Sequence, residues 1–161
     1  VFVAPAMGLP YGRLKEGESY GVSTDDYTRA RAEKEIETVS VNMAELKSRG
    51  VRVLPGGDYG FKWNPHGRNA RDLFMFVDLF GFSPLEAIRA ATAHGGELMG
   101  MRGELGLVAK GAFADLLLVD GDPVKDIQIL QDRDRFLAIM KNGDFHKPLT
   151  ANRTQAQVAA E

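Results

Sequence analysis

The chain has 161 residues, and its 20 Lys and Arg against 22 Asp and Glu give a formal net charge of −2. Nucleic-acid binding relies on clustered basic residues, so this balance argues against a nucleic-acid partner. No apolar run approaches the roughly 20 residues that a membrane-spanning helix needs, which argues against a membrane protein. The sequence contains no Cys, so any metal must bind to His, to carboxylates or to a modified Lys.

The first part of the sequence predicts a strand, a loop and a helix. Residues 1–6 are apolar and partly β-branched, and they predict a buried strand followed by a loop over 7–22. Thr24 or Asp25 is a suitable N-cap for the amphipathic helix that follows, and Gly50 is its natural end.

The next part repeats this alternation. Residues 51–54 predict a second short strand that leads directly into a Gly-rich turn over 56–60. Apolar spacing predicts a helix over 70–80, and Ser83 is the N-cap of a further helix with Pro and an acid in its first turn. Strands alternating with helices favour a parallel α/β arrangement.

The pattern changes in the second half, with a predicted boundary near residues 98–106. Residues 114–120 predict a buried strand, and residues 136–140 predict a strand followed by a hairpin turn at Asn142–Gly143. Residues 150–161 are polar and Ala-rich and predict a loose tail or a marginal helix.

Asp58 is the best candidate for a reacting side chain. It follows a predicted parallel strand, and α/β folds bind ligands at the carboxyl ends of their strands. The alternative is that Asp58 only stabilises a Gly-rich turn. Tyr59 is its neighbour, and His66, on the following loop, could reach the same strand end, although a lone loop His is more often solvated.

The alternative functions for residues 56–60 include an anion or nucleotide site, but the G-x-G-x-x-G spacing and a following Lys-Ser/Thr pair are absent.

Several ordered motifs together resemble one family. They are residues 50–58 (GVRVLPGGD), 65–67 (PHG), 83–92 (SPLEAIRAAT), 103–106 (GELG), 110–119 (KGAFADLLLV) and 140–143 (MKNG). Over nearly the whole chain, from Val1 to about Lys147, the sequence resembles the C-terminal part of the amidohydrolase superfamily. Its imidazolonepropionase-like and Xaa-Pro dipeptidase-like branch is the most similar.

The resemblance implies an α/β fold that is the C-terminal portion of a (β/α)8 TIM-type barrel, with its last two strands and helices, plus the C-terminal share of a small β-sandwich. Residues 1–103 would belong to the barrel, 104–149 to the sandwich and 150–161 to a polar tail. Asp58 would bind a divalent metal, zinc by expectation, and carry a proton between the attacking water and the leaving amine. His66 and Tyr59 would contact the substrate.

The chain departs from the family in its metal ligands. The family's H-x-H pair, its Lys or Glu ligand and its further His ligands would all lie upstream of Val1. The sequence has three His and no H-x-H pair, whereas a catalytic zinc ordinarily needs about three protein ligands. The chain opens on an apolar run without Met, so we expect a C-terminal fragment, and because the other metal ligands would lie upstream we expect it to be inactive alone.

Two functions from different classes follow. The leading hypothesis is metal-dependent hydrolysis of an amide or peptide C–N bond by the complete protein, acting on a dipeptide, an N-acyl amino acid or a cyclic amide. Its expected partners are that substrate, the upstream part of the same protein and further copies in a homo-oligomer. The alternative is a non-catalytic α/β binding or interaction module derived from an amidohydrolase.

Overall fold

The computed structural model describes residues 1–149 and contains five strands and five α-helices in that range. Three short 3-10 helices, Gly17–Tyr20, Ile127–Gln131 and Arg133–Arg135, lie between them. The longer elements are, in chain order, β1 (Phe2–Val3), α1 (Gly8–Glu16), α2 (Asp26–Ser48), β2 (Arg52–Val53), α3 (Arg71–Asp78), α4 (Pro84–Ala91), α5 (Ala93–Leu98), β3 (Leu116–Val119), β4 (Phe136–Lys141) and β5 (Asp144–Lys147). None of the helices in this range is long and apolar enough to cross a membrane.

The two N-terminal strands form a parallel pair, as the sequence predicts. Phe2 lies opposite Arg52 and Val3 opposite Val53. The Leu54 amide donates to the Val3 carbonyl at 2.8 Å, so the pairing continues past the named strand. Helices α1 and α2 connect the two strands, which is the crossover that neighbouring parallel strands require.

The prediction of a loop over residues 7–22 is wrong. Most of this segment is helix α1, despite its Gly and Pro residues. Gly8 and Gly12 are buried, and a Cβ on Gly12 would lie 2.6 Å from the Trp63 carbonyl oxygen. Tertiary packing therefore overrides a weak helix propensity, and Pro10 is tolerated because it lies in the first turn.

The predicted helix starts are confirmed at both N-caps. The Asp25 side chain accepts from the Thr28 amide at 2.7 Å at the start of α2. Ser83 and Glu86 form a reciprocal capping box at the start of α4. Each cap satisfies an amide that has no partner within its helix, which is why these residue types identify the starts from sequence.

The core lies between the parallel strands and the helices that pack on them, and its three Phe side chains come from α3 and the turn after it. Phe76 packs at a steep angle against Phe80 and Phe82, with ring centroids 5.3 and 4.9 Å apart. Ile127, from the second half of the chain, is buried in the same cluster. The further buried members are Met7, Met43, Val53, Leu73, Met75, Ala87 and Ala90. The boundary predicted between residues 103 and 104 stays a prediction, but the core itself crosses it.

The second half forms an antiparallel sheet in the order β3-β4-β5. Asn142 and Gly143 have φ values of 51° and 87°, so they form the tight hairpin turn that the sequence predicts. β5, on the far side of this turn, has no counterpart among the predicted strands. The prediction that the 114–120 strand is buried is wrong within the described chain, because Leu117 is 56% exposed and β3 lies at a sheet edge. The predicted tail, residues 150–161, lies outside the described residues.

Candidate functional site

Asp58 lies on the Gly-rich loop that follows the carboxyl end of β2. Its φ is 50°, in the left-handed region that non-glycine residues seldom adopt. The residue is exposed, and among residues 1–149 its carboxylate has neither a hydrogen bond nor an ion pair. The carboxylate therefore does not stabilise the turn through its side chain, and it remains open to a ligand.

Asn64 connects this loop to the interior of the protein. It is completely buried, and its amide nitrogen donates to the Gly57 carbonyl at 2.6 Å and to the Asp58 carbonyl at 3.0 Å. The Asn64 backbone carbonyl accepts from the Gly60 amide at 2.9 Å. One residue thus joins three positions of the loop to the interior.

Arg71, at the start of α3, orients Asn64. The arginine is 2% exposed, and it donates to the Asn64 side-chain oxygen and to the Gly8 carbonyl. It also pairs with Glu16 of α1 at 3.1 Å, and Glu16 accepts a second arginine, Arg68. Both terminal nitrogens of the buried guanidinium are therefore hydrogen-bonded and its charge is paired, whereas its Nε has no partner among the described residues.

Asp72 anchors the same loop at Tyr59 and Gly56. The Tyr59 hydroxyl donates to Asp72 at 2.6 Å, and the Gly56 amide also bonds to this carboxylate. Burial raises the pKa of Asp72, while the Tyr59 hydroxyl opposes that rise. Burial and the adjacent carboxylate raise the pKa of Tyr59 above its ordinary value. Tyr59 therefore directs its hydroxyl into the protein.

The three histidines lie on three different parts of the fold: the loop before α3, helix α5 and strand β5. His66 is exposed on the loop after Asp58, and its ring lies beside Gly60, although it forms no ion pair with Asp58. His94 lies in the first turn of α5, and burial lowers its pKa. His146 is exposed on β5.

The described residues do not form a complete metal site. Within residues 1–149, no three His, Asp or Glu side chains cluster closely enough to hold a metal ion. Asp58 fits as one ligand, because it offers an exposed and unpartnered carboxylate. A complete catalytic site would need ligands from outside this segment.

The sequence predicts Asp58 as a candidate reacting residue, and this stays a prediction, but it does not indicate the buried polar residues that hold its loop. Asn64 carries only a weak signal, since an Asn-Pro pair indicates a turn. Arg71 and Asp72 have no signal of burial, because charged residues at a helix start are ordinarily exposed. Their role depends on packing between segments up to 63 residues apart.

The model of the amidohydrolase family matches residues 12–145. The chain belongs to the amidohydrolase family. This membership confirms the resemblance, and the α/β chain corresponds to part of a larger amidohydrolase fold. A solved prolidase structure, complexed with N-methylphosphonate-L-proline, superposes with a TM-score of 0.74 at 26% identity and covers 91% of this chain and 35% of its own.

Two curated relatives are similar over parts of this amidohydrolase chain. Ochratoxinase from Aspergillus niger is 32% identical over 99 residues, which is 61% of this chain and 20% of the enzyme. Imidazolonepropionase from Rubrobacter xylanophilus is 37% identical over 68 residues, which is 42% of this chain and 16% of the enzyme. The chain thus spans about a fifth or less of these curated relatives.

Proposed function

We propose that the complete protein containing this chain hydrolyses an amide or peptide C–N bond and that Asp58 is one of its reacting groups. The observation that carries the proposal is the unpartnered Asp58 carboxylate at the carboxyl end of β2, on a loop held by buried residues. Reacting groups of α/β barrels lie at this end of the strands. The family membership and the names of the relatives support amide hydrolysis as the reaction class.

A divalent metal ion, zinc by preference, completes the proposed site, with Asp58 as the ligand that this chain supplies. The metal, when bound, lowers the pKa of water and polarises the carbonyl of the substrate. An ionised Asp58 can accept a proton from water and donate it to the leaving nitrogen, so that the acid and amine products balance. Its lack of a hydrogen-bond donor among the described residues keeps the carboxylate available for that transfer.

The proposed substrates are dipeptides with a C-terminal proline, N-acyl amino acids and cyclic amides. The similarity to a prolidase, an ochratoxinase and an imidazolonepropionase supports this range of amide substrates. His66 is proposed to contact the substrate, because it is exposed on the same loop. Tyr59 is proposed as a neighbouring contact through its ring or backbone, since its hydroxyl is bonded to Asp72.

The upstream part of the protein and further copies of it are the proposed partners. Leucines of the edge strand β3 are between 37% and 56% exposed, which suits coverage by another segment or subunit. Light scattering on the complete protein would test for a homo-oligomer, and a monomer would contradict this part of the proposal.

The test is hydrolysis by the complete gene product, loaded with zinc, of an Xaa-Pro dipeptide, an N-acyl amino acid and a cyclic amide. Asp58→Asn is expected to lower kcat by about 10²- to 10⁴-fold, which is the usual contribution of a positioned acid or base. Asp26→Asn, an exposed residue in α2, is the matched control and should retain kcat. Retention of kcat by Asp58→Asn would remove Asp58 from the mechanism.

The alternative of a non-catalytic module makes opposite predictions. It expects no turnover and no stoichiometric metal in the complete gene product, and a cooperatively melting monomer for the 161-residue chain alone. One observation stands against the anion-site alternative. The Gly60 amide, which could donate to a phosphate, already donates to the Asn64 carbonyl at 2.9 Å.

A further inference from the structure

The backbone of Asp58 needs an external constraint to hold its conformation. A non-glycine residue in the left-handed region costs roughly 1–2 kcal/mol, and such conformations persist where the surroundings over-determine them. Asp tolerates this region better than most residues, but its carboxylate provides no local hydrogen bond here. The constraint must therefore come from the groups that contact the loop backbone.

Asn64 provides that constraint on both sides of the Asp58 Cα atom. The Gly57 carbonyl belongs to the peptide group that precedes this atom, and the Asp58 carbonyl belongs to the one that follows it. The same Asn64 amide nitrogen donates to both, at 2.6 and 3.0 Å. Fixing the two peptide planes fixes φ and ψ of Asp58, and with them the direction in which its side chain leaves the loop.

Arg71 fixes the Asn64 amide in turn. Its guanidinium donates to the Asn64 side-chain oxygen, so the nitrogen of the amide must face the loop. Arg71 is itself immobilised by the Gly8 carbonyl and by Glu16, both on α1. The constraint thus extends from the crossover helix to the loop after β2, through the buried side chains of Arg71 and Asn64.

We propose that Asn64, oriented by Arg71, is a positioning residue that holds the Asp58 carboxylate in its reactive direction. Asn64 touches neither substrate nor the reacting atoms in this role, and it acts only through the backbone of Asp58. Because Asp58 is the reacting carboxylate only under the proposed function, the inference rests on that function. Misplacement of a reacting group by about 1 Å can cost about 10²-fold in rate.

The test compares Asn64→Asp with Asn69→Asp in the complete gene product. Asn64→Asp keeps the size of the side chain and the oxygen that Arg71 binds, but it removes the donor to the two carbonyls. Asn69 is exposed on the same loop, and Asn69→Asp makes the same chemical change as the matched control.

Two readouts separate the inference from the proposed function. The Gly60 amide donates to the Asn64 backbone carbonyl, and its hydrogen exchange is expected to accelerate at least tenfold in Asn64→Asp and to stay unchanged in Asn69→Asp, with or without catalytic activity. In the active protein, Asn64→Asp should lower kcat by 10- to 100-fold while KM stays within threefold. Unchanged exchange, or faster exchange with unchanged kcat, would overturn the inference. An inactive parent protein would overturn the proposed function, and with it the reactive role of Asp58, whereas the exchange readout would still show whether Asn64 holds the loop.

A second variant keeps the inference testable if Asn64→Asp does not fold. Arg71→Lys retains the charge but loses the planar fork, so one ammonium group cannot reach Glu16, Gly8 and Asn64 together. Faster exchange of the Gly60 amide and a selective loss of kcat are expected, both smaller than for Asn64→Asp. Wild-type exchange and kcat in a folded Arg71→Lys protein would contradict the orienting role of Arg71.

Discussion

Replacing Arg71 by Met tests how much the buried polar network stabilises the fold. Met has a similar length and no charge, so the change removes the hydrogen bonds with little loss of packed volume. Arg71 is 2% exposed and donates to Glu16, Gly8 and Asn64. The variant leaves the Gly8 carbonyl and the Asn64 side-chain oxygen buried without this donor.

The expected loss is about 3 kcal/mol of unfolding free energy. Each buried acceptor that loses its partner costs about 1–3 kcal/mol. Glu16 adds little to this cost, because its side chain is 25% exposed and it keeps its pairing with Arg68. Breaking a buried ion pair by removing one partner costs about 3–5 kcal/mol, which is consistent with this value.

Urea unfolding followed by Trp63 fluorescence measures the effect. Trp63 is the single Trp of the sequence and precedes Asn64 directly, so its emission reports on this loop. With an m-value of about 2 kcal/mol/M, the midpoint of Arg71→Met should fall by about 1.5 M. The control Arg49→Met removes an exposed arginine paired with Glu45 and should move the midpoint by less than about 0.3 M. Equal midpoints for the two variants would refute the assigned role of Arg71.

Two further predictions concern α4 and the turn before the second sheet. A hydrogen bond from Lys47 at 2.8 Å, with the capping bonds, lowers the pKa of Glu86 to about 2. The ionised Glu86 carboxylate therefore stabilises the fold fully above pH 4.5, its ordinary pKa, and this stabilisation is lost as the pH falls toward 2. An NMR titration of Glu86 with a midpoint near 4.5 would contradict the pairing with Lys47. Gly106→Ala should cost more than 2 kcal/mol, since a Cβ there would lie 2.2 Å from the Thr92 carbonyl oxygen at a φ of 77°. Gly100→Ala, with a φ of 75° and open space, should cost only about 1 kcal/mol, and equal losses in thermal melts would exclude the clash.

The sequence predicted those elements whose cause lies within a few residues. The N-caps Asp25 and Ser83 are confirmed because each bonds an amide three residues further along the chain. The Asn142–Gly143 turn is confirmed because only the local backbone decides its φ values. Helix α1 was missed, since its Gly residues form a helix only against the Trp63 loop and Arg71.

The sequence by itself determined the family, the α/β class, the paired strands and Asp58 as the candidate reacting residue, because short motifs and their order carry that information. Only the tertiary structure decided how Asp58 is held. The Asn64 bonds reach back six and seven residues, and those of Arg71 reach 55 and 63 residues to α1. No local sequence pattern specifies such contacts, because an Asn or Arg has the same identity in the sequence whether it is buried or exposed. Only the packing of distant segments determines which polar side chain is removed from solvent.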